Sequence, residues 1–250
     1  MFDDSNPPSP SRGTSAMSPL IKDAVKDIDW NSPQTLPTPT KPDPRESPWL
    51  ALSLIVPGLY LTCERTTEER MRLVVMGCRL VVKMNADVDE APFNIYAYDD
   101  DAATQVMKAV DEETFIKRLV AECTTLDSDR ALLMEPLFIR SVVADDSPVF
   151  DIAAYFEELC SLIELVLSRR KLLETEYSDA AKSGADVRLP NVVVHCKAGV
   201  SRSAAIVIAY MMKKYHISRA HALQYVQDAR PVASPNHGFV AQLTLWESTR

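Results

Sequence analysis

The chain has 250 residues, 46% hydrophobic and 25% charged, which is enough apolar material for one substantial core or two small ones. Its formal net charge of −8 excludes the basic footprint of a nucleic-acid binder, although a local anion pocket is compatible with it. No run approaches the roughly 20 apolar residues of a membrane span, and the five cysteines form neither a CxxC pair nor a disulfide framework.

The opening residues show no secretory or myristoylation pattern and the last ones no prenylation box, so a soluble protein of the cytoplasm or nucleus is expected. Residues 1–48 hold ten of the 17 prolines and few large apolar side chains. They read as a disordered Pro/Ser-rich tail ahead of a folded domain over residues 49–250. One stretch of the tail stands apart. Ser18 can cap and Pro19 can enter a first helical turn, while Leu20, Ala24 and Ile28 recur at helical spacing. This predicts a short helix that either docks or forms transiently. Ser9, Ser18, Ser32, Thr38 and Ser47 each precede a proline, which makes proline-directed kinases candidate partners of the tail.

From Trp49 onward, residues 53–56 and 59–61 read as strands about the Pro57-Gly58 turn. A helix ends near Gly77, and residues 79–84 and 92–98 read as strands. Val106, Val110, Phe115 and Leu119 predict one or two helices over residues 103–124. The β-rich run 137–143 leads into Ala144-Asp145-Asp146. A helix over residues 151–173 then carries Ile152, Tyr155, Phe156, Leu159, Ile163 and Val166 on one stripe, with Asp151 as its cap. Residues 174–188 read as a surface loop or an extension of that helix, 191–194 as a strand, and the run from Ala204 as an apolar helix. Ser218 and Asn236 cap two closing helices. Strands alternating with helices predict an α/β fold, a central and mostly parallel twisted sheet flanked by helices.

The chemistry concentrates at His195-Cys196-Lys197-Ala198-Gly199-Val200-Ser201-Arg202-Ser203. A strand delivers Cys196 into a short loop that a helix follows at once. Inward N–H groups of Lys197, Ala198, Gly199, Val200 and Ser201, together with the helix end, make an anion cradle. The same field lowers a thiol's pKa from about 8.5 toward 3.5–7.5. Arg202 can grip two oxygens of a phosphoryl group with its planar fork. Gly199 permits a conformation that a side chain would obstruct. Ser203 can donate a hydrogen bond to the sulfur, and His195 can hold the loop and support the thiolate.

These residues match HC(x)₅R, and with them the chain resembles the dual-specificity branch of the cysteine-dependent protein tyrosine phosphatase superfamily, of the atypical small type. Residues 53–61 resemble that family's domain opening. Arg230-Pro231-Val232-Ala233-Ser234-Pro235-Asn236-His237-Gly238-Phe239, with Gln242-Leu243, resembles its closing motif. The resemblance implies a protein phosphatase acting on phosphotyrosine and phosphoserine or phosphothreonine, with phosphoprotein partners and without metal or cofactor. The family's spacing to the helix at Asp151 selects Asp146 rather than Asp145 as general acid. Cys196 would attack phosphorus to form a cysteinyl-phosphate, Asp146 would protonate the leaving oxygen and then activate water, and Ser203 would ease the departure of sulfur.

The Trp-Pro-Asp and Asn-Arg-Tyr segments of tyrosine-specific relatives are missing, which favours dual specificity. Two alternatives stand beside this reading. Lys197 adds a cation, as in some phosphoinositide phosphatases, and the closing motif is also similar to inactive, phosphate-binding family members. Cys123 and Cys160 are candidate disulfide partners of an oxidised Cys196.

Overall fold

The computed structural model describes residues 17–32, 34–68, 70–99, 104–124, 136–176 and 189–249. Most of the expected loop at 174–188 and the first 16 residues of the expected tail lie outside the described residues.

A seven-stranded sheet organises the domain in the order β1-β2-β7-β3-β6-β4-β5. Its strands are β1 (Ser53–Val56), β2 (Leu59–Cys63), β3 (Cys78–Lys83), β4 (Phe93–Asp99), β5 (Thr104–Ala109), β6 (Leu137–Ser141) and β7 (Asn191–Cys196). The middle strand β7 is buried at every position and carries Val192, Val193 and Val194, as a strand covered on both faces must.

The mostly parallel sheet expected from the sequence is parallel only in its centre. There β2, β7, β3 and β6 run together, whereas β1 pairs with β2, β4 with β6 and β5 with β4 in antiparallel fashion. Connection length is the reason. Pro57-Gly58 between β1 and β2, and the four residues between β4 and β5, are too short for a crossover. The helix expected from residue 103 also begins late. Residues 104–109 form the edge strand β5, in register with β4 from Asn94↔Ala109 to Asp99↔Thr104. Val106 and Val110 lie four apart, a spacing that suits a helical and an alternating pattern equally, and the free edge of β4 decided between them.

The helices are α1 (Pro19–Ala24), α2 (Glu64–Thr67), α3 (Arg70–Val75), α4 (Glu112–Thr124), α5 (Phe156–Glu176), α6 (Arg202–Tyr215), α7 (Arg219–Ala229) and α8 (His237–Ser248). The larger core lies between the sheet and α4, α5 and α6, where Val192, Val194, Ile163, Val166, Ile206 and Val207 meet. A smaller cluster on the other face joins Val193, Val81 and Leu137 to Leu73 and Val74 of α3. Helix α5 is buried through its middle, including two carboxylates. Arg140 Nε donates to Glu158 at 2.6 Å, and Glu164 accepts from Tyr210 at 2.7 Å and Lys214 at 2.6 Å. Among the described residues no helix is long and apolar enough to cross a membrane.

Within the tail expected over residues 1–48, the short helix takes its docked alternative. Ser18 caps α1, and Ile21 and Val25 are buried against the main core, with Ile28 and Trp30 packed beside them. The docked stripe starts one position later than predicted, and Leu20 is exposed. A few apolar side chains suffice because they extend an existing core rather than build one. Trp30 also lies under the Lys213 ammonium at 4.0 Å, and its carbonyl meets His216 Nε2 at 2.7 Å.

Removing one partner of a buried ion pair strands the other charge. Glu158→Ala should therefore lose about 3–5 kcal/mol in urea unfolding, whereas Lys117→Ala, which breaks the exposed pair with Glu113, should change stability by less than about 1 kcal/mol.

Candidate active site

Strands β7, β3 and β6 end on the same side of the sheet, and the loop between β7 and α6 closes over that end. Every carbonyl of this loop is engaged. Lys197 O accepts from Glu64 N at 3.3 Å, Val200 O from Ser234 N at 2.8 Å and Ser201 O from Ala205 N at 2.9 Å. Gly199 O and Ala198 O both accept from Arg230, at 2.8 and 3.4 Å. No peptide here is cis, so each outward carbonyl turns the next residue's N–H inward. The amides of Val200 and Ser203 point at the Cys196 sulfur.

Arg230 follows α7 and is 0% exposed. Its other donors reach Ala51 O at 2.8 Å, Trp49 O at 3.3 Å and Ser53 Oγ at 3.4 Å, so one guanidinium ties the loop to the entry of β1. Gly199 is the point of closest approach. Its φ is +67°, and a Cβ there would lie 2.3 Å from Thr62 O and 2.7 Å from Arg230 Nη2.

Cys196 is buried at the end of β7. Burial pushes its thiol up, but a 3.1 Å hydrogen bond from Ser203 Oγ, the inward amides and the Arg202 charge outweigh burial and hold the pKa below the ordinary 9.0. Arg202 opens α6. Its Nη1 donates to Ala144 O at 3.0 Å, which fixes the plane of the fork. Its Nε is buried and has no hydrogen-bond partner among the described residues, lying 3.7 Å from Asp146 Oδ2. A donor desolvated without an acceptor costs free energy, and an anion in the cradle would relieve that cost.

Both candidate acids are exposed, and of the two it is Asp146 that hydrogen-bonds the loop. Asp146 Oδ1 accepts from Ser201 Oγ at 2.6 Å and from Asn236 Nδ2 at 2.9 Å. Asp151, expected as the cap of α5, instead precedes a 3-10 turn over Ala153–Tyr155 whose N-cap is Ile152, and its Oδ1 accepts from Ala154 N at 3.3 Å.

His195 stands at the base of the loop. Its backbone carbonyl accepts from Met84 N at 2.9 Å, but its ring lies on the other sheet face with Lys83, Leu137 and Ile139. Burial and the nearby Lys83 charge hold its pKa at about 4, so near neutral pH the ring is uncharged. The ring also bonds the backbone of Cys196, so it steadies the start of the loop from the face opposite the thiol. Lys197 is exposed at the loop's outer edge. Cys160 is buried in α5, the Cys123 side chain lies outside the described residues, and the cysteine registered beside Cys196 is Cys63 of β2.

The closing segment supplies roles that the sequence reading left unassigned. Besides Arg230, Asn236 caps α8 through Phe239 N at 3.0 Å while its amide group holds Asp146. A Cβ on Gly238 would come within 2.0 Å of Pro148 O, so α8 packs directly on the loop that follows Asp146. Gln242 secures the same loop, donating to Phe150 O at 2.8 Å and accepting from Ala153 N at 2.9 Å. The signal was the Arg-Pro and Asn-x-Gly-Phe pattern itself, but nothing in it named the partners.

Residues 183–249 match the family model described as dual specificity phosphatase, catalytic domain. The chain is 56% identical over 57 residues to human Protein phosphatase Slingshot homolog 3, covering 23% of this chain and 9% of that protein. It is 58% identical over 53 residues to Dual specificity protein phosphatase 1 of Arabidopsis thaliana, covering 21% of this chain and 27% of the relative. The crystal structure of human DUSP28 superposes with a TM-score of 0.48 and 24% identity, over 79% of this chain and 96% of that one. The chain spans under a third of the length of these curated relatives. These sequence matches relate it to the dual-specificity phosphatases, as its motifs implied.

Two measurements probe the cradle without reference to turnover. Alkylation of Cys196 by iodoacetamide should rise with pH about a midpoint below 9.0, and Ser203→Ala should move that midpoint upward. Arg230→Met leaves several buried carbonyls unpaired, so it should cost at least about 2 kcal/mol in denaturant unfolding and also raise the midpoint.

Proposed function

We propose that this chain is a cysteine-dependent protein phosphatase of the dual-specificity type, working through a cysteinyl-phosphate. The observation that carries the reading is the convergence of a thiol held below its ordinary pKa, inward loop amides and an unpartnered Arg202 Nε beside Asp146. A phosphoryl group in the loop would give Arg202 Nε the acceptor it lacks and would offer its oxygens to the inward amides. The sulfur attacks phosphorus in line, forming S–P as P–O breaks, and Asp146 gives its proton to the departing oxygen. In the second half Asp146, now a carboxylate, takes a proton from the attacking water while Ser203 donates to the leaving sulfur. Loop amides and Arg202 follow the phosphoryl oxygens through both steps, and no metal is needed for charge compensation.

The names of the matched relatives, protein phosphatases and dual specificity phosphatases, support phosphoprotein substrates. Proline-directed kinases acting near the N-terminus, and a site of action in the cytoplasm or nucleus, belong to the same reading. A phosphoinositide substrate is not favoured. The loop positions where a second cation would help hold Val200 and Ser201, and the Ser201 hydroxyl is committed to Asp146.

Hydrolysis of p-nitrophenyl phosphate by the purified chain is the first test. Cys196→Ser should abolish it, and Asp146→Ala should lower kcat by roughly 10²–10⁴. Phosphotyrosine and phosphothreonine peptides should both be turned over. An intact, folded chain that releases no phosphate from any of these substrates would overturn the proposal.

A further inference from the structure

The strap over residues 17–30 is held at its start by a contact with an unusual vulnerability. Ser18 lies at the cap of α1, and its hydroxyl donates to the Glu112 carboxylate at the start of α4. Beyond it, Ile21 and Val25 are buried against the core. Further along, Asp27, Ile28 and Gln34 roof a cavity of about 680 Å³ whose other walls include Leu165, Lys171 and Tyr215 of α5 and α6. Pro19 follows Ser18 directly and is exposed.

We propose that Ser18 is a phosphorylation site for a proline-directed serine/threonine kinase, and that its modification releases the strap from α4 and uncovers this cavity. In the transfer, the Ser18 Oγ–phosphorus bond forms and the bond from the γ-phosphorus of ATP to the bridging oxygen breaks. ADP departs, and the hydroxyl proton passes to the kinase's base. The oxygen that donated to Glu112 then has no proton to give. A group of charge about −1.5 to −2 stands in its place, facing a carboxylate.

The Ile21 N–H, which donates to Ser18 Oγ at 3.3 Å, is a donor at hand, but the neighbouring side chains offer that charge little compensation. Glu113, beside Glu112, is paired with Lys117 on α4, and Lys22, one turn along α1, is exposed to water. A helix start ordinarily favours phosphate through its free N–H groups. Here α1 has only six residues and begins with proline, which removes one of those donors. The kinase gains access through local opening, which a strap anchored by a handful of side chains undergoes without unfolding the sheet.

The inference does not depend on the reaction proposed at Cys196, so the test reads exchange rather than turnover. The full chain, carrying Cys196→Ser so that it cannot remove its own phosphate, is treated with a proline-directed kinase and ATP. Occupancy of Ser18 is read by peptide mass spectrometry, and amide hydrogen exchange is followed over residues 17–30. Phosphate should appear on Ser18, and exchange across the strap should accelerate at least about tenfold while the central strands stay protected. Glu112→Gln, which still accepts from the hydroxyl and can donate to a phosphate, should suppress the acceleration. Ser18→Ala, treated alike, should show no change from its untreated form, which separates Ser18 from the other Ser/Thr-Pro pairs. An unmodified Ser18, unchanged exchange in the phosphorylated chain, or equal acceleration in the Glu112→Gln or Ser18→Ala chain would each overturn the proposal.

Discussion

A buried guanidinium holds the working loop of this protein in place. Arg230 reaches the carbonyls of Ala198 and Gly199 from behind and, with the same planar group, those of Trp49 and Ala51. A five-residue loop whose N–H groups all face one way must send its carbonyls the other way, into protein rather than water. Left unpaired, each would cost about 1–3 kcal/mol, enough to let the loop rearrange and lose its cradle. Arg230 therefore does more than brace: it stabilises the inward orientation of the amides, and it places a positive charge behind the thiol.

The second constraint joins the acid to the cradle. Ser201 belongs to the loop and Asn236 to the cap of α8, and both donate to the same oxygen of Asp146. Asn236 N in turn donates to Ser201 Oγ at 3.1 Å, so loop, acid and closing helix form one small network. Gly238 and Gln242 then fix the chain on the far side of Asp146. Cradle and carboxylate come from distant parts of the sequence, and this network sets their separation. A rigid cradle with an acid held on a loop suits chemistry in which one proton must be given and later taken back at nearly the same place.

The strands and the chemistry-bearing loop were legible in the sequence because their signals are local. Val192-Val193-Val194 before Cys196, the Pro57-Gly58 turn and the Ser218 and Asn236 caps each act over a few residues, and each appears where its pattern placed it. Errors arose where a pattern had two physical readings. The spacing of Val106 and Val110 suited helix or strand, and an unpaired edge took it as strand. The short helix after Ser18 had a docked and a transient alternative, and Ile21 and Val25 dock because they needed only an existing core to join.

By itself the sequence determined the order of most elements and the identity of the reactive loop, and the family's spacing singled out Asp146 as the acid, since those rest on residue type and near spacing. Tertiary structure alone decided that Arg230 orients the loop, that Ser201 and Asn236 hold Asp146 against it, and that the His195 ring lies on the sheet face opposite the thiol. Those outcomes depend on which chain segments become neighbours across the sheet ends. Alternation along β7 sends His195 and Cys196 to opposite faces, and the return of the chain after α7 brings a cation beneath a loop 31 positions earlier.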